Sequence, residues 1–218
     1  MTVDIGAGRA ARPVGADAVL VECADAADAA GLARWLADRE ASSGLGIREL
    51  VPGAATLLAV AAPGALAAVV AVIAEAPAVG GLPGAAAGGE VVTLRVRYDG
   101  EDLAAVAESL GMSAEALVRA HAAADWRVDL IGFAPGFGYA SAADWPHRIP
   151  RLATPRERVP AGAVALADGW SAVYPRASPG GWRLIGRTDA VLWDAAAEPP
   201  SPLAAGVRIR YVDVTGAP

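Results

Sequence analysis

Residues 163–193 read AVALADGWSAVYPRASPGGWRLIGRTDAVLW, and this stretch decides the fold class of the second half of the chain. Short apolar runs alternate in it with turns rich in Gly, Pro and Asp. Runs of this length between such turns are typical of β-strands, and a series of them favours a barrel. The predicted strands are 127–133, 163–167, 172–174, 182–186, 190–193 and 207–212. We therefore expect a β-barrel after Tyr98.

The first part of the chain has a different pattern. A Val- and Leu-rich run at 18–23 predicts a buried strand, and Asp25 is a suitable N-cap for a helix over 26–40. Two apolar runs joined by Pro52-Gly53 follow at 47–51 and 55–61, and a second helix is expected over 63–74. With 91–98 as a further strand, this order indicates a small α+β sandwich of the ferredoxin type.

A composition break separates the two parts. Residues 77–89 contain five glycines and two prolines, which is typical of a linker or a long surface loop. We place the boundary here and expect an α+β domain with its linker at 1–88 and a barrel domain at 89–218.

Composition excludes several function classes. The net charge is −6 and all eighteen basic residues are arginine, so there is no lysine for a phosphate-binding P-loop or a Schiff base. An acidic chain also disfavours a nucleic-acid partner. Cys23 is the only cysteine and His121 and His147 are the only histidines, so we expect no metal site.

Residues 102–119 resemble a helix-turn-helix, with apolar spacing at Leu103, Val106, Leu110 and Leu117 and with Gly111 in the turn. Arg119 is the one cation on the second helix, whereas contacts to bases and phosphates need several. DNA binding is therefore not expected.

Residues 50–74 carry no charge and are long enough to span a bilayer. Pro63-Gly64 interrupts them, and alanine drives insertion weakly, so a strand followed by a helix is the better interpretation. The first residues do not have the pattern of a secretory signal. We expect a cytoplasmic protein with no membrane segment.

Four segments could carry chemistry, and each has a structural alternative. His121 is either a general acid or base or a packed core residue. Residues 131–139, IGFAPGFGY, form either an aromatic pocket wall or an ordinary loop. Residues 154–162 present Arg156 and Arg158 either as an anion clamp or as surface charges. Residues 178–182 form either an anion-facing turn or a hairpin turn.

Taken in order, these segments resemble the carboxyltransferase subdomain C/D family. The match runs through His121, residues 132–139, 154–162, 174–175 and 178–188. Members of this family include the B subunit of 5-oxoprolinase, allophanate-hydrolase subunit 1, part of urea carboxylase and a sporulation-kinase inhibitor. The resemblance is strong over 98–188 and rests on pattern alone over 16–76.

The resemblance implies a ferredoxin-like domain followed by a cyclophilin-like β-barrel, and a larger carboxyltransferase-type partner subunit that completes the active cleft. It implies ATP-dependent hydrolysis of 5-oxoproline, a small lactam, to glutamate, with ATP bound at the level of the complex. It also implies roles for particular residues. His121 is the expected acid/base, Arg158 the anion clamp, and the substrate-binding residues are Phe133, Pro135, Gly136, Phe137, Tyr139, Ser178, Gly180 and Gly181.

The chain departs from the family pattern at two places. Gly138 stands where the family often has proline, and Trp170 stands where it often has glutamine. Trp170 removes an amide acceptor and adds bulk, which leaves the substrate open. The alternatives are a subunit acting on allophanate, urea or another small amide, and a regulatory protein that binds a kinase.

Overall fold

The computed structural model describes residues 3–6, 8–77 and 90–216. The chain divides into two compact units, Met1–Ala87 and Gly88–Pro218. Most of the predicted linker, residues 78–89, lies outside the described residues. No helix among the described residues is long and apolar enough to cross a membrane.

The first unit is a five-stranded antiparallel sheet with two helices. Its strands are hydrogen-bonded in the order 3–6, 9–14, 18–22, 56–61 and 47–52. Asp25 caps the first helix by accepting a hydrogen bond from the Asp28 N–H at 2.8 Å, and Gly44 ends that helix with φ 61°. The elements are β1 (Val3–Gly6), β2 (Arg9–Val14), β3 (Ala18–Glu22), α1 (Ala26–Ser43), β4 (Ile47–Pro52), β5 (Thr56–Ala61) and α2 (Leu66–Ala74).

The core of this unit lies between the sheet and the helices. Leu32, Leu36 and Leu57 are fully buried there. Buried Arg9 forms an ion pair with Asp28 and donates a hydrogen bond to the Pro77 carbonyl at 2.8 Å. Both charges are therefore paired, as buried charges must be.

The mixed α+β class is confirmed, but the complete ferredoxin-type order is not. Strand β5 lies between β3 and β4, as in a split β-α-β unit. The place beside β3 is filled by β2, which was not predicted as a strand. The strand predicted at 91–98 belongs instead to the second unit, so its assignment to this sandwich is wrong.

The elements of the second unit are β6 (Val91–Val96), α3 (Leu103–Ser109), α4 (Ala114–Ala123), β7 (Trp126–Ile131), β8 (Gly138–Ser141), β9 (Arg156–Val159), β10 (Ala163–Ala167), β11 (Trp170–Val173), β12 (Ser178–Gly180), β13 (Arg183–Arg187) and β14 (Arg208–Asp213). This unit is built on a seven-stranded sheet with the order β13-β10-β11-β8-β7-β14-β6. A bridge between Arg97 and Arg187 joins its two ends, so the sheet is a nearly closed barrel. Strand β6 pairs with β14 in parallel, and β12 and β9 form a separate small sheet.

The expected barrel is confirmed, with one error among its strands. Residues 190–193 form no strand. Leu192 is buried, whereas Val191 is 70% and Trp193 is 40% exposed, so this apolar run anchors a loop through one side chain. The short strands β8, β9 and β12 were not predicted as strands.

Strands β10 and β11 bury both of their faces. Val164, Leu166 and Val173 point into the barrel interior. Ala165 and Ala172 point the other way, into a second cluster that contains Phe137, Tyr174 and Trp182. These two strands therefore separate the barrel core from an aromatic cluster on its outer side.

Candidate functional site

The loop between β7 and β8 turns through two residues with positive φ. Phe133 has φ 65° and Gly136 has φ 77°. The left-handed region costs a non-glycine residue roughly 1–2 kcal/mol, so Phe133 is held in a strained conformation. The Gly132 N–H donates to the Phe137 carbonyl at 3.1 Å, and a Cβ at Gly136 would collide with the Leu192 carbonyl. The surrounding backbone thus fixes this turn.

Aromatic rings pack edge to face beneath the loop. Phe137 is 1% exposed. Its ring centroid lies 5.3 Å from that of Tyr174 and 5.6 Å from that of Trp182. Separations of this size are favourable for aromatic pairs. Phe137 therefore anchors the loop to the residues that directly follow β11 and directly precede β13.

Part of this cluster reaches the surface. Phe133 is 61% exposed and touches Phe137 at a centroid distance of 5.2 Å. Half-buried Tyr139 meets Trp170 at 5.3 Å and Trp182 at 5.5 Å. We call the face formed by Phe133, Tyr139 and Trp170 the aromatic surface. A strained, exposed phenylalanine on a well-packed base is typical of a binding site rather than of a core.

Arg151 adds a cation to this face and was not among the predicted site residues. Its guanidinium lies over the Trp182 ring, 5.8 Å from the ring centroid. Burial raises the pKa of Tyr139 and of Tyr174, and the charge of Arg151 partly opposes both shifts. Both hydroxyls therefore remain protonated hydrogen-bond donors near neutral pH. Arg151 occupies an irregular segment between β8 and β9, and no motif marked it.

The small sheet β9–β12 lies against the same cluster. Val159 and Tyr174 pack in it, and a Cβ at Gly180 would collide with the Tyr174 hydroxyl. Ser178 pairs with Val159 across the two strands. Arg158 is exposed on β9, and its side chain makes no hydrogen bond or ion pair within the described ranges. Neighbouring Arg156 is engaged by Glu101 and Asp102.

The structure therefore brings together most of the predicted substrate-binding residues. Phe137 is buried at the base, Gly136 forms the turn, and Gly180 packs on Tyr174. Phe133, Pro135 and Tyr139 reach the surface, while Ser178 and Gly181 are half-buried at the small sheet. Their binding roles stay predictions.

His121 lies elsewhere, in the barrel core. It is fully buried, with Nδ1 2.8 Å from the Tyr98 hydroxyl and Nε2 2.9 Å from Ser171 Oγ. Ser171 in turn donates to the Tyr211 hydroxyl at 3.0 Å. Because the Ser171 hydroxyl donates its hydrogen to Tyr211, its oxygen accepts a hydrogen bond from His121 Nε2–H. His121 Nδ1 therefore accepts a hydrogen bond from the Tyr98 hydroxyl. Burial lowers the pKa of His121 to about 3, so the imidazole is neutral.

His121 is thus not brought together with the other predicted site residues. Ser171 faces the barrel interior from β11, while its neighbours Trp170 and Ala172 face the aromatic cluster. His121 and the aromatic surface lie on opposite sides of this strand. The arrangement is that of a hydrogen-bonded core histidine, and His121 lies apart from the predicted substrate-binding residues.

Trp170, the departure noted in the sequence, has a defined place. Its Nε1–H donates to Asp129 Oδ2 at 3.1 Å, and its ring packs edge-on against Tyr139. The indole therefore forms one wall of the aromatic surface. No group of His, Cys, Asp and Glu side chains suited to hold a metal ion occurs in the described part of the chain.

These observations define the class of structure. It is a barrel that carries an aromatic face, flanked by arginines, on its outer side. The family model described as the carboxyltransferase domain, subdomain C and D, matches residues 10–203. The chain belongs to this family.

Similar proteins agree with this assignment. The chain is 42% identical over 113 residues to the B subunit of 5-oxoprolinase from Escherichia coli O157:H7, and the match covers 52% of each protein. The crystal structure of TTHA0988 matches 92% of this chain and 40% of that one, with 33% identity and a TM-score of 0.74. Urea amidolyase of K. lactis shares the fold, with a TM-score of 0.73 and 16% identity over 99% of this chain and 16% of that one. The chain spans about half the length of the curated relatives it matches.

Proposed function

We propose that this chain is a subunit of an ATP-dependent 5-oxoprolinase-type complex and that its aromatic surface forms one wall of the active cleft. The single observation that supports this most strongly is Phe133, exposed and held at a positive φ above a packed aromatic base. Relatives named as the B subunit of 5-oxoprolinase align with about half of the chain. The partner is expected to be a larger subunit of the carboxyltransferase type.

The chemistry of the lactam explains what the surface would do. A lactam is a resonance-stabilised amide, so ATP is expected to phosphorylate its carbonyl oxygen and release ADP. Water then adds to the carbonyl carbon, and the C–N bond breaks to leave an acyl phosphate. A second water hydrolyses this acyl phosphate and releases phosphate. Rings such as Phe133 and Tyr139 would exclude other water, while Arg151 and Arg158 would attract the substrate carboxylate.

The chain supplies few groups for this chemistry by itself. It has no lysine, and its one fully buried histidine is bonded to protein groups on both ring nitrogens. We therefore expect the partner to supply the phosphoryl-transfer groups. The ferredoxin-like and cyclophilin-like descriptions and a cytoplasmic location remain predictions.

Co-expression with the larger subunit tests this function. The complex should form glutamate and ADP from 5-oxoproline and ATP, whereas the purified chain alone should be inactive. Turnover of 5-oxoproline by the isolated chain would refute the shared-site proposal. A complex that consumes urea or allophanate, or that only inhibits a kinase, would favour the corresponding alternative.

A further inference from the structure

A polar cavity lies on the barrel, at the seam where the sheet closes. Its volume is about 660 Å³, within the usual range for small-ligand sites. Strand β6 pairs with β14 along one edge. Directly after β6, the Arg97–Arg187 bridge joins the chain to β13. The lining includes Thr93, Arg95, Arg97, Arg187, Thr188 and Asp189, and we call it the seam groove.

Three guanidinium groups share one face here. Leu94 and Val96 are buried, so Arg95 and Arg97 alternate outward from them and lie about 7 Å apart along the strand. Arg97 and Arg187 exchange two backbone hydrogen bonds of 2.9 Å. Directly opposed residues of this kind project to the same side of a sheet. The fold therefore places three arginines side by side.

Two of these charges have no counterion within the described residues. Arg187 is bonded to Asp99, with Nη2 at 2.8 Å from Oδ2. The side chains of Arg95 and Arg97 make no hydrogen bond or ion pair in residues 3–6, 8–77 and 90–216, although Asp189 lines the same groove. Adjacent like charges repel, and a shared oxyanion would remove this repulsion through charge-assisted hydrogen bonds.

The chemistry of the lining selects the kind of ligand. Thr93 and Thr188 add hydroxyl groups, and no aromatic side chain among the lining residues offers a platform for a nucleobase. Recognition would therefore depend on charge and oxygen geometry. We propose that the seam groove binds a small, multiply charged oxyanion of the phosphate or polyphosphate type, held mainly by Arg95 and Arg97.

This proposal stands apart from the proposed catalytic function, because binding can be measured on the whole chain without a partner or turnover. Isothermal titration calorimetry at constant ionic strength would use pyrophosphate as the probe. The matched variants are Arg95→Gln, the double variant Arg95→Gln/Arg97→Gln, and Arg119→Gln, which removes an exposed arginine on α4.

Pyrophosphate should bind the wild type and Arg119→Gln with equal affinity. Its affinity for the double variant should be at least tenfold lower. Arg95→Gln should be intermediate. Without ligand, the double variant should have a melting temperature at least as high as that of the wild type, because losing the two positive charges relieves their repulsion. Phosphate should bind more weakly than pyrophosphate. The affinity for ATP should lie within a few-fold of the affinity for pyrophosphate.

Several results would overturn the proposal. They are no pyrophosphate binding at millimolar concentration, equal binding by the double variant, or tighter binding of glutamate than of pyrophosphate. A much tighter binding of ATP would also contradict it, because that would require a base-binding surface that the groove lacks.

Discussion

His121 shows how a single buried group can couple folding to pH. In the folded chain its pKa is lowered to about 3, whereas an unfolded histidine titrates near its ordinary value of 6.5. A lowered pKa means that the unfolded chain binds the extra proton. The stabilisation is therefore present above pH 6.5 and is lost as the pH falls towards 3.

We expect the free energy of unfolding to decrease by about 1 kcal/mol between pH 7 and pH 5.5, from this residue alone. Urea denaturation of the wild type and of His121→Gln at both pH values measures this. The variant should lose less stability over this interval than the wild type. Identical losses would mean that His121 does not stay neutral in the folded chain.

Phe133 and Phe137 are four residues apart but should respond differently to truncation. Phe137→Ala removes a ring that is 1% exposed and should cost about 3–5 kcal/mol of stability. Phe133 is 61% exposed, so Phe133→Ala should cost less than about 1 kcal/mol while reducing the activity of the complex. Urea denaturation of both variants measures this difference in the loss of stability. A large loss of stability in Phe133→Ala would make this residue structural.

At the level of elements, the β7–β8 loop depends on Gly136 for two separate reasons. Its φ of 77° is unfavourable for other residues, and an added Cβ would collide with the Leu192 carbonyl. Gly111 is the matched control, because it has φ 67° with nothing within 4 Å of an added Cβ.

Gly111→Ala should therefore cost about 1 kcal/mol, from backbone strain alone. Gly136→Ala should cost at least about 1 kcal/mol more and should also displace Phe133. Thermal unfolding of the two variants gives the comparison. Equal losses would show that the loop can move away from Leu192 at little cost.

The elements also show what the sequence could predict. Strands such as β10 carry strong apolar runs, and helix α1 has a clear N-cap, so their positions followed from local signals. Strand β2 contains Arg9, Arg12 and Pro13, and its pairing with β1 and β3 reveals it as a strand. The run 190–193 has the composition of a strand but no partner to pair with, because strand formation depends on tertiary context.

The candidate site was predictable to a similar degree. The aromatic segment was visible as sequence, since its glycines and rings lie close together. Arg151 was not, because its position over Trp182 depends on how an irregular segment folds back. For His121, sequence alone could not separate acid/base chemistry from core packing. The deciding fact is that Trp170 and Ser171 point to opposite sides of β11.

At the level of the whole molecule, the composition of residues 77–89 makes a prediction about proteolysis. Gly- and Pro-rich segments of small residues between compact units are preferred cleavage sites. Brief digestion with a protease of broad specificity should cut first between residues 78 and 89, as identified by mass spectrometry. A first stable fragment that begins well inside 91–121 would contradict the boundary between the two units.

The central claim concerns the aromatic surface, and steady-state kinetics of the complex test it most directly. ATP-dependent glutamate formation should be measured with the wild type, Phe133→Ala, Arg151→Gln and the control Arg119→Gln, each co-expressed with the larger subunit. We expect at least a tenfold loss of kcat/KM for Phe133→Ala and Arg151→Gln, with wild-type values for Arg119→Gln. Wild-type kcat/KM in both test variants, assembled into stable complexes, would contradict the claim that this surface lines the active cleft.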